Sequence, residues 1–168
     1  METAVHESKG SNNNMEEKSK NLKIDRTSFQ LGMINCFAEI VACGVKKMAL
    51  SPPLRPDDYR RIEAASNEIV KGFGIKSYLE KSLLLTDLQR EDFTKGKWSV
   101  LYYEKDEILE EYFKLKRVKE ELEKDGHYDK AARTEVSRDF MRLLSYPEEK
   151  IDEILSRSTP KSPFMMSV

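Results

Sequence analysis

Cysteine and histidine are scarce in this chain, and this scarcity argues against several classes of site. Cys36 and Cys43 are the only cysteines, and His6 and His127 are the only histidines. Neither histidine has companions at metal-ligand spacing, so the sequence predicts no metal site. Two cysteines do not make the disulfide framework of a small secreted domain, and we expect a reduced, cytoplasmic setting.

Long apolar runs and an excess of charge are also missing. The most apolar stretch, residues 29–42, is shorter than the roughly 20 residues that a membrane span needs, and it contains Asn35 and Glu39. The 29 basic and 30 acidic residues leave a net charge of -1. Such a balance argues against bulk electrostatic binding of nucleic acid or of an anionic membrane. We therefore expect neither partner.

No glycine-rich phosphate-binding loop is present. The triplet Gly72-Phe73-Gly74 is at best a fragment of a dinucleotide fingerprint. It also follows a predicted helix, whereas the fingerprint opens one. The sequence therefore predicts no cofactor.

The polar composition of both ends predicts one folded domain, residues 25–155, between two disordered tails at residues 1–24 and 156–168. Such segments bury too little apolar surface to offset the entropy of ordering them. Phe164-Met165-Met166 is an apolar spot in the second tail. An inert terminus is the favoured interpretation of it, and a short docking peptide is the alternative.

Glycine and proline divide the first half of the domain. Residues 28–43 form a predicted helix that is apolar nearly all round, which is typical of a buried helix. Gly44 is suited to end it in a left-handed conformation. We interpret residues 45–50 as a strand, because Gly44 precedes them and Ser51-Pro52-Pro53 follows.

A second helix begins near Pro56, since proline suits the first helical position. Residues 75–80 then read as a strand, so the pattern is strand, helix, strand, with a right-handed crossover expected. Residues 83–87 are predicted to form a further strand, and one helix over residues 77–88 is the alternative. The aromatic and β-branched residues 98–103 give the clearest strand.

Helical periodicity dominates the rest of the domain and predicts a helical hairpin over residues 106–144. The sequence therefore predicts an α/β (or α+β) fold. We expect a small mixed sheet of about four strands with packed helices and this C-terminal helical hairpin.

The first helix carries residues that invite a functional interpretation. Cys36 and Cys43 are seven residues apart, which is about 10 Å along a helix, and that is too far for a disulfide. Buried thiols packed in the core are the favoured interpretation. Asn35 and Glu39 lie one turn apart, and a buried pair there would be a candidate site. A strip of the helix facing water is the favoured alternative.

The turn after the first strand is the best candidate for a binding site. In parallel sheets, ligands bind beyond the carboxyl ends of the strands, and a helix N-terminus favours an anion. We therefore predict that Ser51, Arg55 and Arg60 bind a small anionic ligand. Tyr103 and Glu104, at the end of a neighbouring strand, would complete the site.

The loop over residues 89–97 could close over such a site as a lid, because Lys95 and Lys97 are cationic. Ordinary turns with solvated charges are the favoured interpretation of the whole cluster, and a functional site is the alternative. Whether the protein is an enzyme is left open by the sequence.

A non-enzymatic interaction module is the alternative function. It would use the surface of the helical hairpin at residues 106–144, together with the Phe164-Met165-Met166 tail. A homo-oligomer in which the apolar first helix packs against its own copy is compatible with either function.

Overall fold

The computed structural model describes residues 24–88 and 91–156 of the chain. The tails predicted at residues 1–24 and 156–168 therefore lie outside the described residues, except for the innermost residue of each. The suggested docking peptide, Phe164-Met165-Met166, also lies outside them.

Helices and strands are mixed along the described residues, as the predicted fold class requires. There are six helices and three strands: α1 Arg26–Ala42, β1 Met48–Leu50, α2 Pro56–Gly72, β2 Lys76–Glu80, α3 Glu91–Thr94, β3 Ser99–Tyr103, α4 Asp106–Lys124, α5 Lys130–Leu143 and α6 Glu148–Leu155. The strands β1, β2 and β3 fall within the predicted residues 45–50, 75–80 and 98–103, although β1 is shorter than expected.

The three strands form one antiparallel sheet in the order β1-β3-β2. Met48 of β1 and Lys76 of β2 both pair with Tyr103 of β3. The two outer strands therefore run in the same direction without touching, and β3 lies between them. The predicted strand–helix–strand unit is thus split by an antiparallel strand, and the predicted count of about four strands is wrong for the described residues.

The missing strand is the one predicted at residues 83–87, which have no regular secondary structure; the alternative helix is wrong as well. Their backbone groups bond to side chains instead of a neighbouring strand. The Leu84 N–H donates to Tyr112 Oη at 3.1 Å, and the Asp87 N–H donates to Ser137 Oγ at 2.9 Å. The run of leucines reflects burial alone, which periodicity cannot distinguish from a buried strand.

Helices cover both faces of the sheet. Val100 and Tyr102 of β3 pack in a core cluster with Ile34 of α1 and Ile62 of α2. Leu101, which points to the other face, packs in a second cluster with residues of α4, α5 and α6. Because both faces are covered, all five residues of β3 are buried. This explains its continuous apolar sequence.

Helix α1 is buried on one side only, so the prediction of a helix buried nearly all round is wrong. Ile34, Ala38 and Val41 are its fully buried residues. Asn35 and Glu39 are exposed, so the suggested buried polar pair does not exist and the water-facing alternative is correct. Among the described residues no helix, α1 included, has the length and apolar character needed to cross a bilayer.

The two cysteines of α1 are free and exposed, which corrects the expectation that both thiols are buried. Cys43 follows the helix as its C-terminal cap. Gly44 then adopts a φ of +71° and ends α1 in the left-handed conformation that its sequence position predicts.

Candidate functional site

The carboxyl ends of β1 and β2 lie at the same edge of the sheet, where β3 begins. The backbones of Leu54 and Trp98 bridge there through two hydrogen bonds of 2.8 Å. On the other side of β3, Glu80 at the end of β2 pairs with Ser99. The next residue along, Lys81, therefore lies beside Trp98. The chain after β1, the chain after β2 and the start of β3 therefore meet at Trp98.

Two cationic side chains converge on the indole ring of Trp98. The Arg60 guanidinium carbon lies 5.6 Å from the ring centroid, and Lys81 Nζ lies 5.0 Å from it. Tyr59 contacts the same ring edge-on at 6.0 Å. We call these four residues, Tyr59, Arg60, Lys81 and Trp98, the Trp98 cluster. Cations placed this way are held by the negative face of the aromatic ring.

The pairing of the two cations differs. Arg60 Nη1 lies 2.7 Å from Asp57 Oδ1, and both side chains are mostly exposed, at 63% and 82%. Lys81 forms no ion pair with any carboxylate of residues 24–88 and 91–156. An exposed ion pair is weak, so the charge of Arg60 is available to another anion at little cost.

A third cation lies beside the cluster in the sequence. Lys97 precedes Trp98, and its Nζ lies 4.9 Å from the centroid of the Phe93 ring. Phe93 belongs to the short helix α3, within the loop predicted as a lid. A third positive charge is thus adjacent to Trp98 in the chain.

Ser51, predicted as a ligand-binding residue, instead makes structural hydrogen bonds within the fold. It is 1% exposed. Its Oγ accepts from the Val100 N–H at 2.9 Å and donates to the Pro52 carbonyl at 3.0 Å. The hydroxyl therefore anchors the turn after β1 to β3, and we leave it out of the candidate site.

Arg55 lies at the same edge of the sheet, but it is paired locally. Its Nε donates to Asp58 Oδ2 at 3.0 Å. This hydrogen bond, together with the charge of Arg55, lowers the pKa of Asp58 below its usual value. The acidic residues Asp57 and Asp58 in the first turn of α2 thus already occupy the positive end of the helix, where an anion was expected.

Tyr103 and Glu104 are not brought together with Ser51. Tyr103 pairs with Met48 at the start of β1, whereas Ser51 follows the end of β1 and bonds to Val100. Three strand residues span about 10 Å, so these groups lie at opposite ends of the sheet. Tyr103 is buried, and burial raises the pKa of its phenol; Glu104 is exposed. The convergence of Ser51, Arg55 and Tyr103 predicted from the sequence does not occur.

Lys81 and Trp98 are the residues that sequence reasoning missed. The prediction placed Lys81 at the end of one strand of the candidate cluster and Trp98 at the start of another strand, but it named neither as a ligand-binding residue. One signal was available, because the chain's single tryptophan stands next to Lys97 at the start of a strand. Aromatic residues beside basic ones are a common feature of binding surfaces.

The surface of α4 and α5, where the interaction module was expected, shows little exposed apolar area. Val118, at 38% exposure, is the one large hydrophobic residue of these two helices that is substantially exposed. The other exposed residues of α4 and α5 are mostly charged. No observation in the described residues favours this function specifically, and it stays a prediction.

Within the described part of the chain, no group of three or more histidine, cysteine, aspartate or glutamate side chains is placed to hold a metal ion. Comparison with protein-family models, with curated proteins and with solved structures gives no match.

Proposed function

We propose that the protein binds a small anionic molecule at the Trp98 cluster, beside the turn that follows β1. The observation that carries this proposal is that Arg60 of α2 and Lys81, which follows β2, both place their charge over Trp98. The ligand class is the one predicted from the sequence. Its binding residues change. Of the residues predicted from the sequence only Arg60 remains, and Lys81 and Trp98 replace Ser51, Arg55, Tyr103 and Glu104.

The chemistry of the two cations supports a phosphate or carboxylate ligand. An ammonium group has three donors and a guanidinium group has five, and a contact with an aromatic face leaves several of them free. Charge-assisted hydrogen bonds to an anion are the strong ones among protein hydrogen bonds. Two cations held by one indole ring are also partly preorganised, which reduces the entropy lost on binding.

The single tryptophan makes the proposal directly testable. Because Trp98 is the only tryptophan of the chain, intrinsic fluorescence reports on the cluster itself. We expect a saturable fluorescence change with one or more members of a panel of inorganic phosphate, pyrophosphate, nucleotides and sugar phosphates. The same ligand should raise the melting temperature, and added salt should weaken its binding.

A charge-neutral variant tests which residues bind. Lys81→Gln should weaken the affinity about 10-fold, as expected for the loss of one charge-assisted hydrogen bond. Lys114→Gln is the matched control, since Lys114 is an exposed lysine of α4, which packs on the other face of the sheet. The proposal is overturned if no panel member binds, or if the two variants lose affinity equally.

A reduced, cytoplasmic setting remains part of the proposal. The free, exposed thiols of Cys36 and Cys43 support it, because exposed thiols persist where glutathione and thioredoxin keep them reduced. Mass spectrometry of alkylated protein from its own cells would test this, since both thiols should be labelled without prior reduction.

A further inference from the structure

A buried network of charged and polar groups lies on the face of the sheet opposite to the Lys81 side chain. Glu80 is 3% exposed, and its carboxylate accepts three hydrogen bonds. Tyr112 Oη and Lys116 Nζ each donate to Oε2 at 3.0 Å, and the Ser82 N–H donates to Oε1 at 2.7 Å. Lys116 is itself largely buried, with a side chain that is 20% exposed.

This network fixes the backbone on both sides of Lys81. The N–H of Ser82 is held by Glu80, and the carbonyl of Ser82 accepts from Lys116 Nζ at 2.7 Å. On the other side, Glu80 belongs to β2 and pairs with Ser99. Lys81 therefore lies between two anchored residues, although the chain after Glu80 has no regular secondary structure.

The alternation of a strand explains why an anchor on one face can orient a side chain on the other. Successive strand residues point to opposite faces. Glu80 points to the face covered by α4, where it meets Tyr112 and Lys116. Lys81 then emerges on the face of α2, where its ammonium lies over Trp98.

We infer that Glu80, Tyr112 and Lys116 are positioning residues of the binding site, which act on the anionic ligand through Lys81. This inference rests on the proposed function. Burying a carboxylate and an ammonium together is costly, and apolar replacements of such pairs are often equally stable or more so. A network of this kind is therefore weak evidence for stability, whereas its placement next to a ligand-facing lysine gives it a role in geometry.

A double-mutant cycle tests the inference with inorganic pyrophosphate as the probe and Trp98 fluorescence as the readout. Tyr112→Phe removes one donor to Glu80 and should weaken pyrophosphate binding by about 3-fold or more, because residues that share a hydrogen-bond network or a backbone shift are usually coupled by that much. In the Lys81→Gln background, the same substitution should cause no further loss. Lys116→Gln should behave in the same way, and it provides a second variant if Tyr112→Phe does not fold.

Tyr102→Phe is the matched control, because Tyr102 is also fully buried in β3, but its ring stacks on Phe37 of α1 and its backbone pairs with Ser77 of β2, away from the chain after β2. It should leave the affinity unchanged. The inference is overturned if Lys81→Gln weakens binding while Tyr112→Phe and Lys116→Gln do not, or if their effects persist without Lys81. If pyrophosphate and the rest of the panel show no binding that depends on Lys81, the proposed function fails and this inference fails with it.

Discussion

Two tyrosines, Tyr102 and Tyr112, are buried on opposite faces of the sheet, and the same substitution should change stability in opposite directions. Tyr102 Oη is buried and has no hydrogen-bond partner among the described residues. Tyr112 Oη donates to Glu80 and accepts from the Leu84 N–H. Phenylalanine removes the hydroxyl and keeps the ring at either position, so the two variants isolate the energetic effect of each hydroxyl.

The expected magnitudes follow from the hydrogen bonds that each hydroxyl makes. A buried polar group without a partner costs about 1–3 kcal/mol, so Tyr102→Phe should raise the free energy of unfolding by about 1 kcal/mol. Tyr112→Phe instead leaves the Leu84 N–H without its partner and removes a donor from a buried carboxylate. Its free energy of unfolding should fall by about 2–4 kcal/mol.

Urea denaturation at neutral pH, followed by circular dichroism and by Trp98 fluorescence, measures both effects. The two probes should give coincident transitions in a two-state domain. The denaturant dependence of the free energy should stay the same in both variants, because neither changes the surface exposed on unfolding.

The reasoning is refuted if Tyr102→Phe destabilises the protein as much as Tyr112→Phe does. In that case the Tyr102 hydroxyl has a partner, of which the nearby Ser66 hydroxyl is the first candidate, directly or through a buried water. A Tyr112→Phe variant within about 0.5 kcal/mol of the wild type would contradict the other half, since surface substitutions typically fall in that range.

Three further predictions concern pH, a turn and local exchange. Burial raises the pKa of Tyr102 and of Tyr112 above the usual value. The stability linked to these neutral phenols is therefore present below about pH 10 and is lost as the pH rises further, because the unfolded chain releases those protons first. Denaturation midpoints at alkaline pH should therefore fall less in Tyr102→Phe than in the wild type. In thermal melts, Gly44→Ala should destabilise the protein by about 1 kcal/mol, because Gly44 has a positive φ. Gly72→Ala, at the end of α2 and without such a φ, should be neutral or stabilising. The N–H groups of Leu84 and Asp87 should exchange slowly with deuterium in NMR spectra despite their irregular backbone, because both donate hydrogen bonds to side chains. Fast exchange of these two groups would contradict the packing described above.

Helix ends and strands that are specified by residues close together in the chain could be predicted from the sequence. Gly44 ends α1 because of its own backbone conformation, and Pro56 opens α2 because its ring suits the first helical turn. The aromatic run that becomes β3 was likewise recognisable. Each of these signals acts within a few residues of itself, so no knowledge of the rest of the fold was needed.

The features that depend on distant pairing could not be predicted. Whether Cys36 faces the core or water depends on which side of α1 the sheet lies. The apolar run at residues 83–87 is buried by α4 and α5 instead of by strand neighbours. The antiparallel direction of β3 separates Tyr103 from Ser51, and its position beside β2 brings Trp98 next to Lys81.

The central position of β3 has a consequence for how the chain acquires its structure. Both other strands pair with β3 alone within the described residues, and both are synthesised before it. While the chain emerges from the ribosome, β1 and β2 have no sheet to join until the segment from Trp98 to Tyr103 is available. Such non-local closure slows folding and leaves apolar surface exposed in the meantime. A nascent chain that ends before Trp98 would therefore keep the apolar residues of β1 and β2 without their strand partner, which favours aggregation until β3 is available.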